Sequence, residues 1–311
     1  MSYLPEPVKM LPLNRVCLPG THDSAAYHMD FGVSLSNKWV RVGGVLAKCS
    51  GRIRRVVSDW SLTQRRSIYE QLLAGIRVID LRVSVAGDGT FYCSHTFGCV
   101  ALDGVLHEVA KFVRDHPSEI VIVEVSPDYF NRDSMTTTCH LRVLGMIKSI
   151  FGSLLVPPSP TFPSISELVD RGTRVLVFYD PLESQAFDVW SVASLHDIWD
   201  DTSDLQTKLG DLQQDLAELP VGTYNMLSMI LTPQTSDIVT DVLNRIFRPR
   251  AQPGSVRRLS KLIRAYTGEF LEGTPKLLSC LKFDSPSTGN IRAVIDLNFG
   301  RPSHDCRMRN R

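Results

Sequence analysis

The sequence has no long hydrophobic run and no large excess of charge of either sign. No apolar stretch approaches the roughly 18–20 residues that a helix needs to span a bilayer. The 34 lysine and arginine residues against 33 aspartate and glutamate give a net charge of +1, so no overall basic field points to nucleic acid. The N-terminal residues MSYLPEP lack the basic and apolar regions of a secretory signal. Together these absences predict a cytoplasmic protein that binds no nucleic acid.

Paired cysteines are also missing. The seven cysteines are odd in number and include no C-x-x-C pair, so they indicate neither a disulfide framework nor a zinc site. Cys17, Cys93 and Cys280 lie in apolar runs, where a free thiol packs like a small hydrophobic side chain. We therefore expect reduced cysteines and no cofactor.

What the sequence does contain is an alternation of short apolar runs with longer amphipathic stretches. Residues 120–123, Ile-Val-Ile-Val, are typical of a strand buried on both faces of a parallel sheet. Strands separated by helix-length crossovers indicate βα units, and about seven such units favour a closed or nearly closed α/β barrel. The predicted strands cover residues 15–18, 75–83, 90–94, 119–126, 173–179, 223–230 and 278–283. The predicted helices cover residues 61–73, 102–115, 136–151, 164–170, 204–216, 235–247, 256–267 and 287–297.

Nothing in the composition divides the chain into two domains. The Pro-rich stretches at residues 157–163 and 248–254 are short enough to be loops. We therefore predict one domain over residues 1–311, with a core from about residue 11 to 300 and a basic, flexible tail at residues 301–311.

Several polar side chains follow predicted strands at the point where each strand ends. Because active sites of α/β barrels lie at the carboxyl ends of the strands, we expect one mouth to gather these side chains. They are His22, Asp80, Arg82, His95, Ser126, Tyr179, Asn225 and Asp284.

These residue types suit the cleavage of a phosphodiester by an internal hydroxyl. Histidine serves as base and as acid because its ordinary pKa is near 6.5. The planar arginine fork pairs two phosphoryl oxygens and keeps its charge. A neighbouring carboxylate fixes the tautomer of each histidine and stabilises its charged form. His22, His95 and Arg82, with Asp23, Asp80 and Asp284, form one complete set.

Three motifs in this region resemble the X domain of phosphatidylinositol-specific phospholipase C. They are residues 20–24 (GTHDS), 75–82 (GIRVIDLR) and 94–95 (SH), and the similarity continues through residues 116–122 (HPSEIVI). It covers about residues 11–300 and is greatest for the small branch, which comprises bacterial enzymes and eukaryotic X-domain-only proteins. The resemblance implies a distorted or incomplete TIM barrel. It also implies cleavage of phosphatidylinositol to diacylglycerol and an inositol phosphate.

The resemblance implies a role for each motif residue. His22 is the general base for the inositol 2-hydroxyl, and His95, supported by Asp23, is the general acid toward the diacylglycerol oxygen. Asp284 stands where the family has the carboxylate that orients the first histidine. Asp296, after residues 294–295, is the alternative for that carboxylate.

A second group of positions bears on the phosphate and on metal. By resemblance, Arg82 holds the phosphate and Asp80 supports Arg82 and His95. Large eukaryotic relatives bind calcium with carboxylates, one of them at the position of Arg82. A guanidinium there repels a divalent cation, so we predict an enzyme that needs no metal.

The positions expected to meet the lipid head group depart from the family pattern. Metal-free bacterial relatives have basic residues on the fourth and fifth strands, whereas the corresponding positions here are Ser126 and Tyr179. Asp197 and Trp199 resemble a carboxylate–aromatic pair that binds the sugar, although a purely structural role suits them equally. The lipid is therefore phosphatidylinositol or one with another head group.

Residues 37–55 carry six basic side chains and no acidic one, beside Trp39 and several apolar residues. Such a segment either lies on an anionic membrane surface or forms a solvated helix on the barrel. The expected partner is thus a phospholipid, met at a peripheral membrane surface. The sequence leaves the oligomeric state open. The alternatives to a phospholipase are a lipid-binding barrel of low activity and a related phosphodiesterase with another substrate.

Overall fold

A computed structural model describes most of the chain, and its strands form a single sheet. The described residues are 1, 3–33, 35, 51–179, 188–247, 253–272, 274 and 276–300. The strands are β1 (Leu18–Thr21), β2 (Val78–Val85), β3 (Phe91–His95), β4 (Phe97–Ala101), β5 (Val121–Pro127), β6 (Val175–Tyr179), β7 (Trp190–Ser191), β8 (Leu195–Ile198), β9 (Tyr224–Ser228) and β10 (Leu278–Phe283).

Helices follow most strands and cover the outside of the sheet. They are α1 (Glu6–Lys9), α2 (Gly51–Ser61), α3 (Ile68–Leu73), α4 (Leu102–Asp115), α5 (Thr137–Phe151), α6 (Ile165–Arg171), α7 (Leu205–Ala217), α8 (Thr235–Phe247), α9 (Val256–Arg264), α10 (Thr267–Leu271) and α11 (Thr288–Leu297). None of the helices in the described residues is long and apolar enough to cross a bilayer.

Eight of the strands form a nearly closed parallel barrel in the order β7-β6-β5-β2-β1-β10-β9-β8. Within the described residues, β7 and β8 do not pair with each other, so one seam stays unsealed. A 3₁₀ turn at Val192–Ser194 joins these two strands. The distorted or incomplete α/β barrel is therefore confirmed. The sequence pattern missed β7 and β8 because two- and four-residue strands carry almost no periodic signal.

Capping decides where the crossover helices begin. The side chain of Ser67 accepts from the backbone N–H of Glu70, whose carboxylate accepts from Ser67 N–H in return, so α3 begins at Ile68 rather than at the predicted residue 61. The same box, with Ser164 and Glu167, begins α6. The predicted helix over residues 256–267 divides into α9 and α10.

Side-chain alternation divides the buried residues into an inner and an outer set. On β6, Leu176 and Phe178 pack in the barrel interior, whereas Val175, Val177 and Tyr179 pack against the outer helices. Near the carboxyl ends, the interior positions of β2, β5 and β10 are instead polar and charged. That polar layer supplies the candidate site.

The strand that ends at His95 is not a barrel strand, which corrects the sequence prediction. β3 pairs antiparallel with the upper part of β2 and with β4, off the barrel path. β2 extends beyond the mouth of the barrel. β3 runs antiparallel along this extension, back toward the mouth, and places His95 there. A short apolar run gives no indication of its direction, which is why the sequence did not distinguish the two arrangements.

Two segments discussed above lie largely or wholly outside the described residues. Of the basic stretch at residues 37–55, only residues 51–55 are described, and the tail at residues 301–311 is not. The predicted loop at residues 248–254 is described from residue 253 onward.

Candidate active site

The turn after β1 presents His22 and Asp23 at the mouth of the barrel. The backbone N–H of His22 donates to Phe283 O on β10 (3.0 Å), and the N–H of Asp23 donates to Asp80 Oδ2 on β2 (3.2 Å). Asp23 has a φ of +41°, a conformation that aspartate adopts more readily than most residues. The turn is thus fixed to the strands on both sides of β1.

His22 is oriented by Asp284, just past the end of β10. Its Nδ1 donates to Asp284 Oδ1 at 3.0 Å, and the other carboxylate oxygen of Asp284 accepts from Ser260 Oγ on α9 at 2.9 Å. This geometry decides between the two predicted carboxylates in favour of Asp284. Asp296 lies on α11, largely exposed, where it pairs with Arg292 at 3.4 Å. With Nδ1 protonated, the Nε2 of His22 is the atom that can take a proton.

Arg82 and Asp80 lie on one face of β2 and form a close ion pair with one hydrogen bond. Arg82 Nε is 2.9 Å from Asp80 Oδ1, and its Nη2 donates to Asp80 Oδ2 at 3.1 Å. The Arg82 side chain also donates to Ser126 Oγ at 2.9 Å, across the β2–β5 pair in which these two residues are in register. The predicted Ser126 therefore lies in the site, in contact with the guanidinium.

His95 completes the group from the end of β3. Its Nδ1 lies 2.7 Å from Ser61 O, which can only accept, so Nδ1 carries a proton. Its Nε2 lies 3.6 Å from Asp23 Oδ2, and the same oxygen is 3.3 Å from His22 Nε2. The two imidazole centroids are 6.5 Å apart and nearly perpendicular. One carboxylate thus lies between two imidazoles.

The carboxylates determine the charge state of His22. Burial alone lowers the pKa of its imidazole, but the carboxylates of Asp23, Asp284 and Asp80 outweigh burial and raise the pKa to about 9. His22 is therefore protonated at neutral pH in the unliganded protein. Burial works against ionisation of Asp80, yet Arg82, Lys282 and His22 hold the pKa of that carboxyl well below its usual range.

Below these residues lies a buried charged layer that the sequence analysis missed. Lys282, an interior residue of β10 and almost fully buried, has its Nζ 2.7 Å from Asp197, 3.4 Å from Glu124 and 3.9 Å from Asp80. Burial raises the pKa of Glu124 to about 7, although Lys282 opposes that shift. The signal for Lys282 was available: Asp284 and Lys282 are two residues apart, so on a strand they share a face.

Two sequence predictions are not borne out by the placement of their side chains. Tyr179 belongs to the outward set of β6, is almost fully buried, and its hydroxyl lies 2.9 Å from His140 Nδ1 on α5. Asn225 is near the start of β9, where it donates to Pro220 O and Leu277 O at the far end of the barrel. Trp199 follows β8 and is half exposed, and Asp197 is engaged by Lys282 in the polar layer, so the role of this pair in sugar binding stays a prediction.

A set of ligand atoms for a cation exists within this group. His22, Asp23 and Asp80 each offer one atom, and these atoms lie within 4.8 Å of one another. Arg82 Nε already lies 2.9 Å from Asp80 and 3.8 Å from Asp23, and His22 is protonated at neutral pH. Two positively charged side chains therefore already lie next to the carboxylates that a divalent metal would bind.

Comparison with known proteins gives consistent matches. Residues 55–211 match the model of the PI-PLC X domain family. Human PI-PLC X domain-containing protein 2 is 30% identical over 245 residues, which cover 76% of this chain and 78% of that protein. Mouse PI-PLC X domain-containing protein 3 is 28% identical over 83% of this chain and 82% of that protein.

Solved structures agree with this result at the level of the fold. The phosphatidylinositol-specific phospholipase C from Listeria monocytogenes has a TM-score of 0.65 at 18% identity, over 96% of this chain and 97% of that one. The corresponding enzyme from Staphylococcus aureus, with pentafluoro-Phe incorporated, has a TM-score of 0.67 at 14% identity, over 96% of both chains.

Proposed function

The chain belongs to the PI-PLC X domain family, and from that premise we propose that it is a phospholipase C that cleaves a phosphodiester of phosphatidylinositol type. The observation that carries the proposal is the arrangement around Asp23. Two imidazoles lie 3.3 and 3.6 Å from one oxygen of this carboxylate, and a guanidinium nitrogen lies 3.8 Å from the other. A base, an acid and a fixed cation thus surround one small space, as phosphodiester cleavage requires.

In the proposed mechanism His22 is the base. Its Nε2 takes the proton of the attacking hydroxyl, which the family resemblance identifies as the inositol 2-hydroxyl. Asp284 holds Nδ1–H and stabilises the imidazolium that forms. Because the pKa of His22 is about 9, roughly one molecule in a hundred has a neutral His22 at pH 7.

Arg82 is the phosphate-binding cation. Its side chain is 30% exposed, so its unshared N–H groups can reach a bound ligand, while Asp80 and Ser126 fix the plane of the guanidinium. Charge that develops on the phosphoryl oxygens as the new phosphorus–oxygen bond forms is stabilised there.

His95 is the acid. With Nδ1–H donated to Ser61 O, its Nε2–H is the proton available to the departing glycerol oxygen when the phosphorus–oxygen bond to glycerol breaks. The Asp23 carboxylate, 3.6 Å from Nε2, supports His95, as the family resemblance implies. The products are diacylglycerol and a cyclic or open inositol phosphate.

The proposed site of action is the cytoplasmic surface of a membrane. The solved structures of similar fold include a phosphatidylinositol-specific phospholipase C from Staphylococcus aureus with modulated membrane binding. By extension, we propose that this chain meets its lipid at a membrane surface without crossing it.

A second candidate is a phosphodiesterase of the same mechanism that acts on another head group. The observation that favours it is the absence of a basic side chain at the two head-group positions: Ser126 binds Arg82, and Tyr179 faces the outer helices. Lys282, the interior cation, is buried under Asp197 and Glu124 and so does not replace those contacts.

The test is release of water-soluble phosphate ester from vesicles of single labelled phospholipids. We expect activity on phosphatidylinositol that falls about a hundredfold to ten-thousandfold in His22→Ala and in His95→Ala, since each removes a proton-transfer group. His107→Ala is the matched control, because His107 lies exposed on α4 and its Nδ1 is bonded only within that helix, to Asp103 O.

The same assay separates the alternatives. Activity on a different phospholipid alone would favour the second candidate, and binding to vesicles without turnover on any lipid would contradict both in favour of a lipid-binding barrel. Arg82 and protonated His22 already pair with the carboxylates that calcium would bind. We therefore expect equal activity with a chelator and with added calcium. A requirement for calcium would refute metal independence.

A further inference from the structure

A cavity lies on the outer side of β1, behind the wall that carries His22. It has a volume of about 590 Å³ and opens between α3, α9 and the start of α11. Thr21, whose side chain points away from the barrel interior toward Gln71 (2.7 Å), contributes to its floor. His22 and Thr21 are neighbours in the chain but face opposite sides of the sheet, so the cavity is separate from the candidate active site.

The lining of this cavity has a one-sided charge. Four basic side chains line it, and none of the described lining residues is aspartate or glutamate. The basic residues come from two segments, Arg65 and Arg66 before α3 and Lys261 and Arg264 on α9. For a chain with a net charge of +1, such a concentration of one sign is local rather than a reflection of composition.

Among the described residues, none of the four cations forms an ion pair with a carboxylate, and Asp284 acts on Arg264 only over a longer distance. The arginine ion pairs of the described residues involve Arg77, Arg82, Arg171, Arg245 and Arg292, and none of the four cavity residues. The Nε of Arg264 donates to Ser260 O at 3.1 Å, a neutral acceptor. The free-energy cost of bringing like charges together is small for the exposed Arg65, Arg66 and Lys261, which water screens, and larger for a half-buried cation; a bound anion relieves it.

The half-buried Arg264 shows this cost most clearly. Burial lowers the pKa of its guanidinium, Asp284 opposes that shift, and Arg65 lowers the pKa further. Like charges that face each other across a cavity are typical of sites that receive a phosphate.

The walls of the cavity are held in place by hydrogen bonds that do not involve the guanidinium or ammonium groups of the four basic residues. Asn290 Nδ2, on α11, donates to Arg264 O at 2.9 Å and to Thr267 Oγ1 at 3.0 Å, which ties the end of α9 to α11. Gln71 Nε2 donates to Ser24 O and to Arg66 O, both at 2.8 Å, which ties the first segment to the turn after β1. The cationic groups are thus carried on a fixed frame.

We propose that this cavity binds a phosphate-bearing anion, of the size of a phosphorylated inositol ring, through Arg65, Arg66, Lys261 and Arg264. The ligand is either a soluble inositol phosphate or a phosphorylated lipid head group, since both present the same dianionic oxygens to the arginine forks. A single phosphate pairs with two guanidinium groups, and the volume leaves room for more than one phosphate. The inference does not depend on turnover at the other site.

The experiment measures binding of two probes to the full-length protein. Titration calorimetry with inositol hexakisphosphate tests the soluble source. Flotation with phosphatidylcholine vesicles, with and without phosphatidic acid, tests the lipid source. Arg65→Gln and Arg264→Gln should each weaken binding about tenfold or more, because each removes charge-assisted hydrogen bonds. Arg171→Gln, which removes one exposed charge on α6 far from the cavity, is the control.

Each outcome bears on the proposal. Binding lost in the two cavity variants and kept in Arg171→Gln supports it, and the probe that binds identifies the source. Binding that also persists in His95→Ala, in which the proposed phospholipase activity is lost, separates the cavity from the active site. Equal affinity in the cavity variants and the control, or no binding of either probe to the folded wild-type protein, would overturn it.

Discussion

At the scale of single residues, Asp23 connects the three groups that the proposed chemistry needs. One of its oxygens lies 3.3 Å from His22 and 3.6 Å from His95, and the other lies 3.8 Å from Arg82. A bound phosphate would compete with this carboxylate for contact with these three groups. Asp23 is also one of the carboxylates that raise the pKa of His22, so it contributes to the pH dependence expected of the base.

The pKa of His22 gives a prediction for the pH profile. The base His22 must be neutral and the acid His95 must be protonated, so kcat/KM should follow a bell-shaped pH profile with one limb near pH 9 that belongs to His22. Asp284→Asn removes one of the charges that raise this pKa, so that limb should move to lower pH while the maximal rate falls through loss of orientation. Kinetics on phosphatidylinositol vesicles across pH would check both effects. An unmoved limb in Asp284→Asn would contradict the assignment of His22 as base.

At the scale of elements, the site depends on how closely β1 approaches β10. Gly20 is in register with Lys282, and a Cβ on Gly20 would lie 2.7 Å from Cys280 Sγ, 3.1 Å from Val78 Cβ and 3.2 Å from Lys282 Cγ. The missing side chain of Gly20 is what lets the lysine stem pass through the barrel interior to its carboxylates.

Gly20→Ala should therefore destabilise the protein by about 1–3 kcal/mol, since overpacking a filled core displaces neighbouring side chains. It should also reduce activity, because Lys282 is displaced beneath Asp80. Gly104→Ala is the control: its Cβ would meet nothing within 4 Å on α4, so stability should stay equal or rise slightly. Urea unfolding of both variants measures the difference. Equal stability of Gly20→Ala and wild type would show that the neighbouring side chains on β2 and β10 move aside at no cost.

Elements also mark the limit of what the sequence could predict. The bounds of α4 and α8 match the predicted helices, because both have strong helical periodicity. His22, Asp80, Arg82 and Asp284 were correctly assigned to the mouth, since parallel strands place their carboxyl ends together. The prediction for Tyr179 was wrong because it used only the position of this residue at the end of β6. Side chains on a strand alternate between the two faces of the sheet, and that of Tyr179 faces the outer helices. The return of β3 toward the mouth is a property of strand pairing, which local sequence does not encode.

At the scale of the whole molecule, three buried groups make stability depend on pH in a defined direction. Glu124 has an ordinary pKa of 4.5 and a folded pKa of about 7, and His22 has 6.5 and about 9. In both, the folded state holds the proton more tightly, so the stability they contribute is complete below the ordinary pKa and is lost as pH rises through the folded pKa. Asp80 acts oppositely, because its lowered pKa contributes stability that is lost as pH falls below 3.8.

The free energy of unfolding should therefore be greatest near pH 4–5 and fall as pH rises from about 5 to 9, by a few kcal/mol in total. Glu124→Gln should remove the part of the fall between pH 4.5 and 7 and keep the part between 6.5 and 9, which belongs to His22. Urea unfolding across this range would measure both parts, with the exposed Glu269→Gln as control. A curve for Glu124→Gln that falls between pH 4.5 and 7 as the wild-type curve does would show that Glu124 is ionised in the folded protein. Lys282 would then be balanced by three full negative charges.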